Sequence, residues 1–210
     1  MHPAVKVPMN SNRPGFTSAA WKVLAAFLCA LVYMAPSHAT SVVPLYLEEM
    51  IDTSSVAFEA TCTGNRTEVD AETGFVVTKT TFAVHDVLKG SVGTIHVIKQ
   101  IGGSLPDEKL QYRIEGIPTF DVGKDYVVFL AGVSAAGFSS PIGLQQGKFS
   151  VRVDGATRKV RNGRDFQDMT SRMSGLPSAA KAGIPGGAVS EMDLDDFKQL
   201  VRSHLRGVQR

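Results

Sequence analysis

Two histidines near a predicted hairpin are candidates for metal binding or for a response to pH. If the turn is centred between Gly90 and Ser91, His85 and His96 lie opposite each other with Asp86 beside them. Two imidazoles and a carboxylate could bind a divalent metal ion or respond to acid pH. A zinc site needs three or four ligands, and the sequence indicates no further one. Two solvent-facing residues on a hairpin are therefore the alternative.

An acid–base enzyme is a second hypothesis for the same region. His85, Asp86, His96 and Glu115 are titratable and lie near predicted strands, so they could act together if the fold brings them into one cleft. The sequence contains neither the Gly-x-Ser-x-Gly frame of a serine nucleophile nor a glycine-rich phosphate-binding frame. We therefore predict no catalytic residue and no cofactor.

Residues 1–39 have the composition of an export signal. They contain three basic residues and no acidic one, then the apolar run Val23–Ala35, and a small-x-small motif that ends at Ala39. The run is shorter than the ~20 residues that span a bilayer. We expect cleavage after Ala39, a mature chain that starts at Thr40, and a location in the periplasm or outside the cell. An uncleaved membrane anchor is the alternative.

Removal of this leader changes the charge of the protein. The whole chain has 22 basic and 20 acidic residues; without the three basic residues of the leader its net charge is −1. The basic residues between Arg152 and Arg164 are interleaved with Asp154 and followed by Asp165 and Asp168, and they have few aromatic neighbours, unlike the grooves that bind nucleic acid. We expect no nucleic-acid partner, and membrane contact only through the leader before cleavage.

Cys62 is the single cysteine of the expected mature chain, because Cys29 belongs to the leader. Polar and apolar residues alternate over 56–63, which predicts a strand with Cys62 on its apolar side. One interpretation is a reactive thiol or an intermolecular disulfide. The other is a buried cysteine that packs as a small hydrophobe. The second is favoured, since no histidine or lysine lies nearby in sequence to lower the pKa of the thiol.

Short β-rich segments separated by turns dominate the mature chain and predict an antiparallel barrel or sandwich over 40–168. A short helix over 43–52, with Leu47, Met50 and Ile51 on one apolar side, precedes them. Residues 169–190, rich in Gly, Ser, Ala and Pro, predict a flexible linker. An amphipathic helix over 191–208 follows it. The predicted strands are 56–63, 75–88, 94–98, 112–117, 126–130, 149–153 and 157–160.

The order of short motifs along the mature chain resembles that of a group of proteins. The motifs are Thr80-x-Phe82-x-Val84-x-x-Val87-Leu88-Lys89-Gly90, Gly102-Gly103, Phe120-x-x-Gly123-x-x-Tyr126-Val127-Val128-Phe129-Leu130 and Gln146-Gly147-Lys148-Phe149. Over roughly residues 43–165 this order is similar to exported bacterial proteins of unassigned function. It is distantly similar to the netrin-type modules of tissue inhibitors of metalloproteinases.

The likeness to netrin-type modules implies a small antiparallel OB-like Greek-key barrel. It does not imply their inhibitory mechanism, since those inhibitors bind the target zinc through an N-terminal cysteine and the expected N-terminal residue here is Thr40. We predict an exported, non-catalytic binding module whose partner is a protein of the cell envelope or the exterior. The alternative is an enzyme or metal-binding protein that uses His85, Asp86, His96 and Glu115.

Overall fold

The fold is built on antiparallel strands flanked by helices. The computed structural model describes residues 43–105, 110–173 and 189–208 of the chain. The helices are α1 (Leu47–Thr53), α2 (Phe166–Met169) and α3 (Leu194–Val208). The strands, in chain order, are β1 (Val56–Val69), β2 (Val76–Lys89), β3 (Ile95–Ile101), β4 (Gly103–Leu105), β5 (Leu110–Tyr112), β6 (Asp125–Leu130), β7 (Lys148–Asp154), β8 (Thr157–Arg161) and β9 (Met192–Asp193).

Seven strands form one sheet in the order β3-β2-β1-β6-β7-β8-β9, while β4 and β5 form a separate pair. All the pairs are antiparallel. The prediction of a mainly β fold with an N-terminal and a C-terminal helix is confirmed. Among the described residues the sheet does not close into a barrel, because β3 and β9 are its edge strands and β6 pairs with β7 and not with β3. A loop lies between β3 and β6: the amide of Ser139 donates to the carbonyl of Lys99, and Pro141 bridges to Leu130.

Several elements begin or end at other residues than predicted. The strand β1 continues to Val69, because the polar segment from Gly64 onward pairs with β2 instead of turning. The turn follows at 70–74 and ends at Gly74, whose φ is +71°. Helix α1 begins at Leu47, so Pro44 precedes it. The predicted strand 112–117 is reduced to β5.

The Lys89-Gly90 motif joins the end of β2 to helix α1. The ammonium of Lys89 donates to the carbonyls of Ile51 (2.6 Å), Asp52 (3.0 Å) and Ser54 (2.7 Å). A lysine at this place satisfies carbonyls that a helix leaves without partners at its C-terminus. Gly90 has a φ of +74°, and a Cβ there would lie 2.6 Å from the carbonyl oxygen of Ser55.

The central strands β1 and β6 are buried on both faces. One face, which we call the helix face, is covered by the helices and contains one hydrophobic core. The predicted apolar side of α1 is confirmed on this face. The helix face buries Ala57, Val127, Phe129, Phe149 and Val160 of the sheet against Leu47, Met50, Ile51, Leu194, Phe197, Leu200 and Val201 of α1 and α3.

The other side of the sheet, which we call the opposite face, contains a second core. Cys62 belongs to it and is fully buried, so its predicted place on the apolar side of β1 is confirmed. Burial raises the pKa of its thiol, which keeps it protonated at neutral pH. The other members of this core are Phe58, Ala60, Phe82, Ile98, Phe120, Tyr126, Val128 and Leu130.

Residues at the start of the predicted linker pack against the helix face. Met169, Thr170 and Met173 are buried, and the two methionines pack in the helix-face core. Flexible methionine side chains fill irregular gaps of this kind. A prediction based on composition alone does not detect this packing. Residues 174–188 lie outside the described residues, as do the leader 1–39 and Thr40.

Aromatic rings concentrate the packing of α3 on the sheet. The ring of Phe197 is fully buried. Its centroid lies 4.9 Å from that of Phe149, 6.0 Å from that of Phe166 and 6.2 Å from that of Phe129. Aromatic pairs at such distances contribute beyond the area that they bury.

The substitution Phe197→Ala should lower the free energy of unfolding by about 3–5 kcal/mol, because it leaves a cavity among three rings. Urea denaturation measures this loss. Val208→Ala on the same helix is the control; Val208 is exposed, so its loss should stay within about 0.5 kcal/mol. A loss below about 1 kcal/mol at Phe197 would contradict this packing of α3.

Candidate functional site

The strand register separates the two histidines. His96 lies opposite Phe82 and not opposite His85, so the predicted pairing is wrong. The physical reason is that β2 continues to Lys89 by pairing with β1, and the chain then uses residues 90–94 to return. This longer connection centres the turn differently, and a small shift of register is enough to separate two cross-strand residues.

Each histidine has its own neighbours. His85 is exposed, and its Nε2 lies 2.7 Å from the hydroxyl oxygen of Thr61. The ring of His96 packs edge-on against Phe58, with the centroids 5.3 Å apart. Burial lowers the pKa of His96, which keeps its ring neutral at neutral pH.

The other two candidates of the acid–base hypothesis also lie apart. Asp86 accepts from the guanidinium of Arg202 at 2.6 Å, and Glu115 is exposed in the turn after β5. Neither these two nor the histidines line the cavity to which Gln100 belongs or the one to which Gln146 belongs. Within 43–105, 110–173 and 189–208, no three His, Cys, Asp or Glu side chains come together in a way that could hold a metal ion.

A buried carboxylate on the helix face organises a network of charges. Glu59 is 2% exposed and accepts from Arg158 Nη1 at 2.5 Å and from Lys198 Nζ at 2.9 Å. Arg158 also contacts Asp125, and Lys198 also contacts Asp86. We call these five residues, together with Arg202, the Glu59 network.

The Glu59 network is neutralised internally. Burial by itself would lower the pKa of Lys198, but hydrogen bonds to Glu59 and Asp86 outweigh it, so the pKa is raised. The pKa of Arg158 is raised against its own burial by Glu59 and Asp125. Both cations thus stay charged beside their carboxylates. The network attaches α3 to β1 and β8 through pairs of opposite charges.

A cavity of about 330 Å³ lies at one end of the opposite face. Its volume is near the lower limit of pockets that bind small ligands. Phe120, which is 3% exposed and belongs to the core of this face, is at its apolar side. The cavity is lined by Asn65, Thr67, Thr78, Thr80, Gln100, Ile101, Gly102, Gly103, Ser104, Gln111, Tyr112, Arg113, Ile114, Ile117, Pro118 and Thr119, besides Phe120.

Cross-strand pairs place the polar side chains of this cavity together. In the register of the sheet Asn65 lies opposite Thr80, Thr67 lies opposite Thr78, and Thr78 lies opposite Gln100. Directly opposed residues on one face are about 5 Å apart. Two rows of amides and hydroxyls therefore lie beyond the apolar core of the opposite face.

Most of these polar groups have partners. The hydroxyl of Thr80 donates to Asn65 Oδ1 at 2.7 Å, and Asn65 Nδ2 donates to the carbonyl of Phe120 at 2.7 Å. The hydroxyl of Thr78 donates to the carbonyl of Gly102 at 2.7 Å and lies 3.2 Å from that of Thr67. The wall is thus held rigid by its own hydrogen bonds.

Gln100 is the exception. Its side chain is 3% exposed, and its Nε2 has no hydrogen-bond partner among the described residues. An unpaired buried donor costs about 1–3 kcal/mol, and such groups in native proteins call for an explanation. Gln100 lines the cavity, so this enclosed and unpaired amide group belongs to the wall of the cavity.

The glycine pair allows β4 to approach this wall closely. Gly102 and Gly103 have φ values of +98° and +151°. A Cβ on Gly103 would lie 2.4 Å from Cγ2 of Thr67 and 2.5 Å from Oγ1 of Thr78. A side chain at Gly103 would therefore displace the polar wall.

Sequence reasoning missed this cavity, although a signal was present. On β2, Thr78 and Thr80 share a face with the buried Phe82, since they are two and four residues before it. Polar residues in line with a core residue indicate either a solvent-exposed end of the sheet or a polar site. On β3, Gln100 likewise shares a face with the buried Ile98, which is two residues before it.

Comparison with protein-family models finds no matching family, and comparison with curated proteins finds no relative of this chain. Among the described helices, none has the length and apolar character needed to cross a bilayer. The candidate site is therefore judged from its own geometry.

The substitution Glu59→Gln should lower the free energy of unfolding by about 2–3 kcal/mol, because two charged hydrogen bonds lose their carboxylate in a buried place. Denaturant titration at neutral pH measures it. Glu191→Gln is the matched control: Glu191 pairs with Arg152, which is largely exposed, so its loss should be below about 1 kcal/mol. Equal losses in the two variants would contradict the role of the Glu59 network.

Proposed function

We propose that this protein is an exported, non-catalytic binding module that holds a small ligand in the polar cavity beside Gln100. The observation that carries the proposal is the buried side-chain amide of Gln100, which lines the cavity and has no partner among the described residues. The rigid, hydrogen-bonded wall around it supports binding, because groups that are already ordered lose little entropy when a ligand arrives.

The composition of the cavity supports binding over catalysis. Tyr112 and Arg113 are the titratable residues among those that line it. General acid–base chemistry is carried most often by a histidine or a carboxylate, and neither type is among the described residues that line the cavity. The threonine hydroxyls have no histidine or carboxylate as a hydrogen-bond partner within the described residues that would activate them.

The leader supports a location outside the cytoplasm. We propose that residues 1–39 direct export to the periplasm or the exterior and are removed after Ala39. The ligand would then be a component of the envelope or the medium, free or carried by a protein partner there. Export also agrees with the single mature cysteine, Cys62, which is buried and so protected from oxidation.

The proposal extends to the finer fold. We propose an OB-like relationship for the part formed by β1, β2, β3 and β6. The loop around Ser139 supports it, since its hydrogen bonds to Lys99 on β3 and the bridge to Leu130 on β6 lie where a closing strand of such a barrel would run. The mouths of small barrels are frequent ligand sites, and the cavity lies at one end of this part.

A fragment screen by ¹H–¹⁵N NMR tests the proposed function. Neutral, acidic and basic fragments are added to the protein isolated from the periplasm. We expect binders to shift the amide signals of Thr80, Gln100 and Gly103, and Gln100→Met to abolish those shifts. Gln199→Met, at an exposed position of α3, should leave them unchanged. Fragment shifts that cluster elsewhere and spare the cavity would contradict the proposal.

A further inference from the structure

We propose that residues 113–118, which we call the strap, form a movable cover of the polar cavity. The strap follows β5 and ends before Thr119. Ile114, Ile117 and Pro118 of the strap line the cavity, whereas Glu115 is exposed to solvent. The strap thus lies between the cavity and the solvent. A movable strap goes beyond the proposed function, because it is a property of the protein without a ligand.

The end of the strap that leads towards β6 is held in place. The ammonium of Lys148 donates to the carbonyl of Thr119 at 2.7 Å. The carbonyl of Phe120 accepts from Nδ2 of Asn65, also at 2.7 Å. The ring of Phe120 is buried and packs edge-on against Tyr126, with the centroids 5.1 Å apart. This end cannot move unless several contacts are broken.

The other end of the strap continues from a pair of strands. Tyr112, the last residue of β5, pairs with Gly103 of β4. Gly103 in turn approaches Thr67 and Thr78 of the polar wall so closely that it leaves no room for a side chain. The strap is thus fixed at both ends, and movement is confined to residues 113–118.

Between these ends the strap has few attachments. Among the described residues its backbone forms one hydrogen bond, from the amide of Ile117 to the carbonyl of Ile114. This bond is 3.4 Å long, which is longer than the usual range of about 2.7–3.2 Å. Ile114, Gly116 and Ile117 are half-buried. A segment with few hydrogen bonds and few buried contacts opens more easily than the rest of a fold.

The strap borders two cavities and so has room to move. The polar cavity lies beside Ile114 and Ile117, and Gly116 lines a second cavity of about 290 Å³. Protein interiors are otherwise close-packed, so that movement displaces neighbouring side chains. A segment that borders empty space in two places can shift without that cost.

The backbone is strained where the strap borders the second cavity. Leu144, which also lines this cavity, has a φ of +61°. Leucine rarely adopts this left-handed conformation, because its Cβ then lies too close to a carbonyl oxygen. Strained residues cluster at ligand clamps and switch regions. A Cβ on Gly116 would lie 2.9 Å from Cδ1 of Leu144, so the strained residue lies directly beside the turn of the strap.

The strap therefore has a closed position, as in this structure, and an open position in which it moves away from the polar wall. The half-buried side chains of Ile114 and Ile117 favour the closed position, since opening exposes them to water. Gly116, with a φ of +86°, supplies a backbone conformation that other residues rarely adopt.

Relaxation dispersion of ¹⁵N-labelled, ligand-free protein isolated from the periplasm tests the strap. Movements of lids and loops of this kind occur within microseconds to milliseconds, which this measurement detects. We expect exchange at the amides of Ile114, Gly116 and Ile117, and flat profiles at the buried Val127 and Phe129 of β6. Flat profiles along the strap, whether its amides are rigid or move only within nanoseconds, would overturn the inference.

Two variants with matched controls show whether the exchange is the opening of the strap. Lys148→Met releases one end of the strap, and Gly116→Ala places a side chain at a left-handed φ within it. Each should raise the open population at least threefold. Lys124→Met, at an exposed position, and Gly155→Ala, at a φ of +60° with no contact within 4 Å of the added Cβ, should leave it unchanged. Equal changes in variants and controls would contradict the movable strap.

The fragment screen gives a separate outcome. If the strap amides exchange and no fragment shifts the cavity signals, the proposed function falls and the movable strap stands. If fragments bind in the cavity and the strap amides stay flat in every variant, the proposed function stands and the strap is a fixed wall.

Discussion

The buried carboxylate of Glu59 is the constraint from which much of this structure follows. A charge in the interior costs several kcal/mol unless it is paired, and Glu59 lies on a central strand among apolar residues. Its partners come from β8 and from α3, so both elements must lie over β1. The C-terminal helix is thereby fixed in position by charge as well as by Phe197, and the helix face is covered by apolar contacts and paired charges.

The helices cover the helix face, and the candidate site lies on the opposite face. There the core residues give way, at one end of the strands, to Thr78, Thr80 and Gln100, which form a polar wall around a cavity. Polar groups in such a place would be expensive without partners, and the wall meets this cost almost entirely by internal hydrogen bonds. The amide of Gln100 departs from that pattern, and for this reason the cavity is the candidate site.

Local patterns in the sequence predicted local features well. The spacing of Leu47, Met50 and Ile51 gave the buried side of α1, and the alternation along β1 placed Cys62 inside. Long-range register was not predictable: the connection from β2 to β3 places His96 opposite Phe82 and not opposite His85. The pairing of Glu59 with Lys198 joins residues far apart in sequence, and no local pattern indicates it. The unpaired amide of Gln100 becomes visible only when its neighbours are known.

The central claim is that Gln100 keeps an unpaired buried amide for a ligand, at the expense of stability. The free energy of unfolding of Gln100→Met without ligand tests it most directly, because methionine has nearly the shape of glutamine and no polar group that needs a partner. The account predicts a gain of about 1–3 kcal/mol over the unmodified protein. A loss of more than about 1 kcal/mol would show that the amide is satisfied within the fold, and would contradict the account.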